Sequence, residues 1–444
     1  MTDALRTLST QVTDVTDGLC AYLDASPSPF HAVETAAELL RQGGFSEVAE
    51  CDPTPSAPGR YVVRRAGSLL AWSTAEVGEG RAAHTPYRVV GAHTDSPNLR
   101  IKPLPDWSRA GWQMLGVEVY GGALTNSWLD RDLGLSGRVA VRDDAVTGGI
   151  SQRLWRCDDP ILRVSQLAIH LDRTVRSEGL QLNDQLHLAP HWGQGVERAN
   201  FRSWLAEQVG VQAEALLGFD AMTHDLTPAR RVGAQGELIA SARLDNLATS
   251  YASVRAILHA VEHPCDGPVI PVIVLFDHEE VGSMSERGAH STFLPAWLER
   301  IVMAAGGNRE DYWRALASTV IASGDMAHAT HPNYAERHEP GHPIMVNAGP
   351  VLKVNTNLRY ATDSLGAATF TLACEAAGVP MQTFVTRSDL PCGSTVGPMT
   401  SALTGATTVD FGAPMLSMHS SRELAGTLDQ AGYAAALAAF LTPA

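Results

Sequence analysis

The sequence predicts an α/β fold in which one discontinuous domain is interrupted by a β-rich insert. Three observations carry that expectation. The stretch PVIPVIVLFDHEE, residues 268–280, is an apolar run of strand length, suited to a central strand covered on both faces, and it ends in four ionisable side chains. Just before it, GELIASARLDNLATSYASVRAILHAV (236–261) reads as a strand leading through Asp245 into an amphipathic helix, so the two stretches together predict a βαβ unit. Between about residues 97 and 233 the character changes to many short β-like runs such as GVEVYGG and SGRVAVR, with scattered Trp and polar loops. The parsimonious organisation is one domain made of residues 1–96 and 234–444, with 97–233 inserted.

Length and charge bound the rest. A chain of 444 residues with 45% hydrophobic content exceeds what one small core needs. Against 48 acidic residues stand 33 basic ones, a net charge of −15, which argues against nucleic acid or an anionic membrane as partner, because phosphate neutralisation needs clustered Lys and Arg. The six cysteines include no C-x-x-C pair, so neither a disulfide framework nor a thiolate zinc site is indicated. The N-terminus lacks a basic start followed by an apolar block, and the apolar runs are too short to span a bilayer, so a cytoplasmic protein is expected.

Taken in order, SPSPFHAVETAAELLRQGGF (26–45) predicts a helix: Ser28 caps it, Pro29 suits its first position, and Gly43-Gly44 stop it. YVVRRAGSLLAWST (61–74) and YRVVGAHTDSP (87–97) are β-rich, separated by the polar AEVGEGRAAHTP, which reads as a surface hairpin or loop. Within the insert, NDQLHLAPHWGQGVERANF reads as a polar loop. After the βαβ pattern come strands in STVIASGD, MVNAGPVLKVN and MQTFVT, and helices in DSLGAATFTLACEAAG and LDQAGYAAALAAFL.

In open α/β sheets ligands gather beyond the carboxyl ends of the strands. The residues there, and others close to them, are His93, Asp95, Asp245, Glu279, Glu280, Asp325 and His419. Imidazole and carboxylate donors in this mixture suit zinc or a similar divalent ion, and one carboxylate can bridge two ions. Each motif alone has a plainer reading, such as a turn for HTDSP or a helix cap for LDN. DHEE resists one, since adjacent like charges at a strand end repel unless a cation or proton compensates them.

The segments GAHTDSP, RLDN, FDHEEVGS, SGDMAHATHPNY, KVNTNLRYATD and SMHSSRE, in this order and spacing, resemble the M18 aspartyl aminopeptidases essentially end to end. The resemblance implies a doubly wound, mixed-sheet catalytic domain, an inserted dimerisation domain and a homo-oligomer, a tetrahedral dodecamer built from dimers. It implies two divalent ions per subunit, zinc first and cobalt or manganese as substitutes. Asp245 would bridge them, with His93 and Asp325 completing one site and Glu280 and His419 the other. Glu279 would be the general base toward the metal-bound water that attacks the scissile carbonyl, and Asp95 would orient the His93 imidazole. His170, within LAIHLDR, would reach the active site of the adjoining subunit, and Lys353 would bind an acidic side chain, with His328 and Tyr360 as further pocket residues. The substrates implied are peptides with an acidic N-terminal residue. Two other readings stand beside this one: a broad-specificity aminopeptidase or dipeptidase with the same metals, and a catalytically silent, cage-forming scaffold.

Overall fold

In the computed structural model, which describes residues 3–78, 80–195, 200–265, 267 and 269–443, with side chains from residue 12 onward, the run Ile270–Phe276 is a strand near the middle of a nine-stranded sheet. The strand order is Ser46–Glu47, Arg60–Arg65, Ser68–Ser73, Ile270–Phe276, Tyr87–His93, Val320–Gly324, Thr407–Gly412, Val351–Val354, Gln382–Val385. The four strands from Ile270–Phe276 to Thr407–Gly412 are mutually parallel, with antiparallel partners on either side, so the sheet is mixed.

Both faces are covered, which is why the central strands read as unbroken apolar runs. Ile273 and Leu275 point into a core with Leu40, Leu247, Phe370 and Leu437, supplied by helices Pro29–Gln42, Leu244–Glu262, Ser364–Ala376 and Thr427–Leu441. Their neighbours Val272, Val274 and Phe276 point into a second core with Trp72, Trp297 and Tyr312, covered by helices Phe293–Ala304 and Arg309–Ala317. The result is the doubly wound α/β arrangement the sequence predicts.

Helix Pro29–Gln42 starts where expected: Ser28 Oγ accepts from the His31 amide, and Gly43 follows its last residue. The long helix Asp3–Ala25, which the sequence reading does not single out, seats Val15, Leu19, Tyr22 and Leu23 in the first core, at the spacing of one helix face. Two expectations need correction. Strand Leu238–Ser241 does not share a sheet with Ile270–Phe276, so the strand–helix–strand stretch is no βαβ unit of one sheet. Its four residues pair antiparallel with Glu423–Gly426, in a second, five-stranded sheet. The second correction concerns NDQLHLAPHWGQGVERANF, whose described residues are not all loop: they hold the turn of helix Asp184–His187, strand His191–Gln194 and the start of helix Phe201–Gln208, while residues 196–199 lie outside those described.

Between Asn98 and Asp225 runs a separate six-stranded sheet, antiparallel throughout, with its own core around Leu99, Leu115, Val139, Trp155 and Phe201. Its main strands are long, 9 to 13 residues, rather than the short runs that glycines and polar positions suggest. No described helix is long and apolar enough to cross a membrane.

Candidate metal centre and active site

The parallel strands all deliver their last residues to one edge. His93 ends Tyr87–His93, Asp277 to Glu280 follow Phe276, and Asp325 follows Gly324. Asp245 enters from the second sheet, at the start of helix Leu244–Glu262, and His419 from the turn between Pro414–Leu416 and Glu423–Gly426. Four non-glycine residues at or within two positions of these side chains have left-handed backbone: Arg243 (φ 60°), His278 (φ 65°), Ser417 (φ 60°) and His419 (φ 68°). Such conformations cost about 1–3 kcal/mol each and persist where the surroundings enforce them, often at functional sites.

Two three-donor groups share Asp245. In one, His93 Nε2 lies 3.5 Å from Asp245 Oδ1 and 3.6 Å from Asp325 Oδ1. In the other, His419 Nε2 lies 3.3 Å from Asp245 Oδ2 and 3.3 Å from Glu280 Oε2. The ligand atoms within each group lie within 4.8 Å of one another, as do those of His93, Glu279 and Glu280. Asp245 Oδ1 and Glu280 Oε1 are buried without a hydrogen-bond partner. Buried carboxylate oxygens of this kind are costly unless a cation meets them, and two imidazole nitrogens with three carboxylates are a donor set that suits zinc. The residues fit a metal centre.

The ionisation pattern agrees. Burial, reinforced by Asp245, pushes the Glu280 carboxyl well above the usual range. Burial, with Asp325, Asp95 and Asp245 adding to it against the pull of His93, lifts Glu279 to about 8. Burial opposes charge on His419, yet Asp245 outweighs it and raises the imidazole to about 9. Protons therefore stand where cations would.

The cluster DHEE divides into distinct roles. Asp277 is buried and faces Arg287 Nε at 3.2 Å, while His278 Nδ1 lies 2.8 Å from Ser285 Oγ, so both are framework groups. Glu279 and Glu280 face the centre, and their amides donate to Asp95 at 3.1 Å each. Asp95 is fully buried; His93 Nδ1 lies 3.0 Å from its backbone carbonyl oxygen and 3.4 Å from its Oδ1. A residue the sequence reading overlooked is Glu423: its two oxygens accept from the amides of Asp245 (3.1 Å) and His419 (2.8 Å), joining the backbones of both groups. The signal for it lay at the end of SMHSSRE.

Lys353 is buried in strand Val351–Val354, not an exposed edge lysine. Its Nζ lies 3.9 Å from Asp325 Oδ2 and 5.4 Å from the centroid of the Tyr360 ring. Tyr360 is buried edge-on to Phe384, and His328, open to solvent on one side, sets its ring against the same Phe384. The packing around His328 and the Lys353 ammonium lower its pKa. His170 lies apart from all of these, exposed in a turn of the inserted sheet's long loop, flanked by exposed Leu167, Ile169 and Leu171.

Residues 22–441 match the family Aminopeptidase I zinc metalloprotease (M18). The chain belongs to the M18 family. It is thus a zinc-type aminopeptidase. A probable M18 family aminopeptidase 2 of Mycobacterium leprae is 54% identical over 96% of this chain and 97% of its own. Among solved structures, a chain of the Ape4 and Nbr1 complex superimposes with TM-score 0.91 at 34% identity, covering 98% of this chain and 86% of that one. The yeast mApe1 dodecamer gives TM-score 0.81 at 25% identity over 96% of both chains. An M18 family aminopeptidase of Thermotoga maritima shares the fold, with TM-score 0.85 at 20% identity over 98% of this chain and 97% of that one.

Proposed function

We propose that this M18 aminopeptidase removes the N-terminal residue of peptides, preferentially Asp or Glu, with two divalent ions per subunit, zinc in the first instance. His93, Asp245 and Asp325 would hold one ion, and Asp245, Glu280 and His419 the other. The observation that carries the reading is the division of Asp245: one oxygen faces each imidazole, at 3.5 Å and 3.3 Å. When bound, the ions supply an acidified water nucleophile and polarisation of the scissile carbonyl. The remaining work falls to the chain itself. Glu279 takes a proton from the attacking water and returns it to the leaving amine, a role suited to a carboxylate that faces the centre without being needed to complete either Asp245-centred group. Asp95 fixes the His93 ring and the Glu279 and Glu280 amides, so base and ligands keep one relative geometry.

For the acidic preference the candidate cation is Lys353. Beyond hydrogen-bond distance from Asp325, it keeps its donors available to a substrate carboxylate. A charge-assisted bond in a desolvated pocket contributes on the order of 1.5–3 kcal/mol, or roughly ten- to a hundredfold in discrimination. Lys353→Leu is therefore expected to lower kcat/KM on Asp- and Glu-terminated chromogenic substrates by that factor while sparing Leu-terminated ones, with zinc content measured in parallel. Equal loss on every substrate would make Lys353 a support for Asp325 and sink its role in specificity, leaving the broad-specificity reading.

The same reading makes residues 97–233 an assembly domain and the enzyme a cytoplasmic homo-oligomer, a tetrahedral dodecamer, as the solved yeast mApe1 is a dodecamer. The exposed Leu167, Ile169 and Leu171 around His170 support burial of that turn against another copy. His170 would then serve the neighbouring subunit by stabilising the tetrahedral intermediate. Mixing inactive His170→Phe subunits with inactive Glu279→Gln subunits is expected to restore part of the activity. If mass measurement shows exchange and no activity returns, His170 does not act across the interface.

A further inference from the structure

The inserted sheet reaches the metal centre through one short segment. Strand Trp112–Tyr120 ends beside Asp95, and the Tyr120 hydroxyl donates to Asp95 Oδ2 at 2.6 Å. The same carboxylate receives the Glu279 and Glu280 amides and faces the His93 imidazole, so this one phenol restrains the group that ties three site residues together. The Tyr120 ring is itself held: the Arg100 guanidinium lies 3.6 Å from its centroid. Packing between the two sheets would be served equally by Phe, whereas a buried hydroxyl aimed at a buried carboxylate is favourable only through the bond it makes.

The residues that follow hold the other imidazole. Gly122 O lies 3.1 Å from His419 Nδ1; because a carbonyl only accepts, that nitrogen carries the proton and Nε2 is turned toward Asp245 and Glu280. The Leu124 amide donates to His419 O at 3.0 Å, and Ser127 accepts two bonds from Ser421, at its Oγ from the amide (2.8 Å) and at its carbonyl from the hydroxyl (2.7 Å). The approach is close enough that an added Cβ would press on the site. A Cβ on Gly122 would stand 3.2 Å from His419 Nδ1, and one on Gly121, whose φ is +70°, would stand 3.1 Å from Glu280 Cβ.

We propose that Tyr120 and Gly122 are positioning residues of the metal centre, so that the inserted sheet orients one imidazole in each of the two ligand groups: His93 through Asp95, and His419 directly. The inference rests on the two-ion reading above. It makes metal affinity, and not only assembly, a property of the insert.

The test uses the full-length chain with Tyr120→Phe and Gly122→Ala, stripped of metal and titrated with Zn²⁺ against a chromogenic chelator. Loss of an outer partner of a ligand weakens metal binding by about ten- to a hundredfold. Up to that loss is expected at the His93 site for Tyr120→Phe, which releases the Asp95 carboxylate behind the ligand, and at the His419 site for Gly122→Ala, where the carbonyl stays but the added methyl crowds Nδ1, with displaced visible bands in the Co²⁺-loaded proteins. A merely structural role would lower the melting temperature and leave both readouts alone. Wild-type affinity and wild-type cobalt spectra in both variants would overturn the inference, whatever happens to their melting. Should Tyr120→Phe fail to fold, Gly122→Ala decides the matter by the same two readouts. Wild-type protein that takes up one zinc per subunit would remove the two-ion reading; a loss in either variant would still uphold the inference for the imidazole concerned.

Discussion

Glu279→Gln is expected to keep the full metal complement and lose about 10²–10⁴ in kcat, whereas its neighbour Glu280→Gln should lose metal as well as activity. The two side chains are adjacent in sequence and alike in burial, so composition does not separate them; geometry does. Glu280 Oε2 lies 3.3 Å from His419 Nε2 within a group closed by Asp245. Glu279 lies near His93 but is not needed to complete either Asp245-centred group. Glutamine preserves the size of the side chain and the amide that donates to Asp95, and removes only the capacity to take a proton. Measuring bound zinc beside turnover checks both halves of the expectation. A fully metallated Glu279→Gln enzyme with near-normal kcat would remove Glu279 from the role of base.

How much of this was open to a reader of the sequence follows from the range of the interactions. Strand Ile270–Phe276 was legible because burial on both faces leaves an unbroken apolar run, and the ligands beyond it because like charges at a strand end demand compensation. Helix Pro29–Gln42 was legible because its cap and its stop are local. Strand Leu238–Ser241 was recognisable as a strand, but its partner Glu423–Gly426 lies near the C-terminal end of the chain, and nothing local says which sheet a four-residue strand will join. Tyr120, Gly122 and Glu423 failed for the same reason. Tyr120 has the alternating neighbours of any strand tyrosine, and Gly122 sits 297 positions from the His419 it holds. The left-handed backbone at Arg243, His278 and His419 had no signal, since no glycine or asparagine marks those positions. The buried Lys353 ran against the usual exposure of lysine, and the groups that compensate it, Asp325 and the Tyr360 ring, come together only in the fold.

Removing the metal is expected to destabilise the protein, and to do so more at pH 8.5 than at pH 6.5. In the metal-free state burial and the neighbouring Asp245 lift Glu423 to about 8, and burial with several nearby carboxylates lifts Glu279 to about 8. His419, against the cost of burial, is raised to about 9 by Asp245. All three folded values lie above the unfolded ones, near 4.5 for glutamate and 6.5 for histidine. The folded chain therefore binds more protons than the unfolded chain between these limits, and stability falls as pH rises. For the glutamates the contribution is complete below about 4.5 and is lost through 8; for His419 it is complete below about 6.5 and is lost through 9. The metal-free melting temperature should thus drop steadily between pH 6.5 and 9. Zinc works in the opposite sense, because it binds His419 deprotonated and its charge favours the ionised carboxylates beside it, Glu279 and Glu423. At a free concentration a thousandfold above Kd each site adds about 4 kcal/mol, so two sites raise the melting temperature by roughly 10 °C in a chain of this size. Chelated and reconstituted protein, melted side by side across this pH range, should show a gap that widens with pH. A metal-free protein that melts with the zinc-loaded one, or a gap that narrows toward pH 9, would mean that the cluster of carboxylates around Asp245 is balanced by something other than a bound cation.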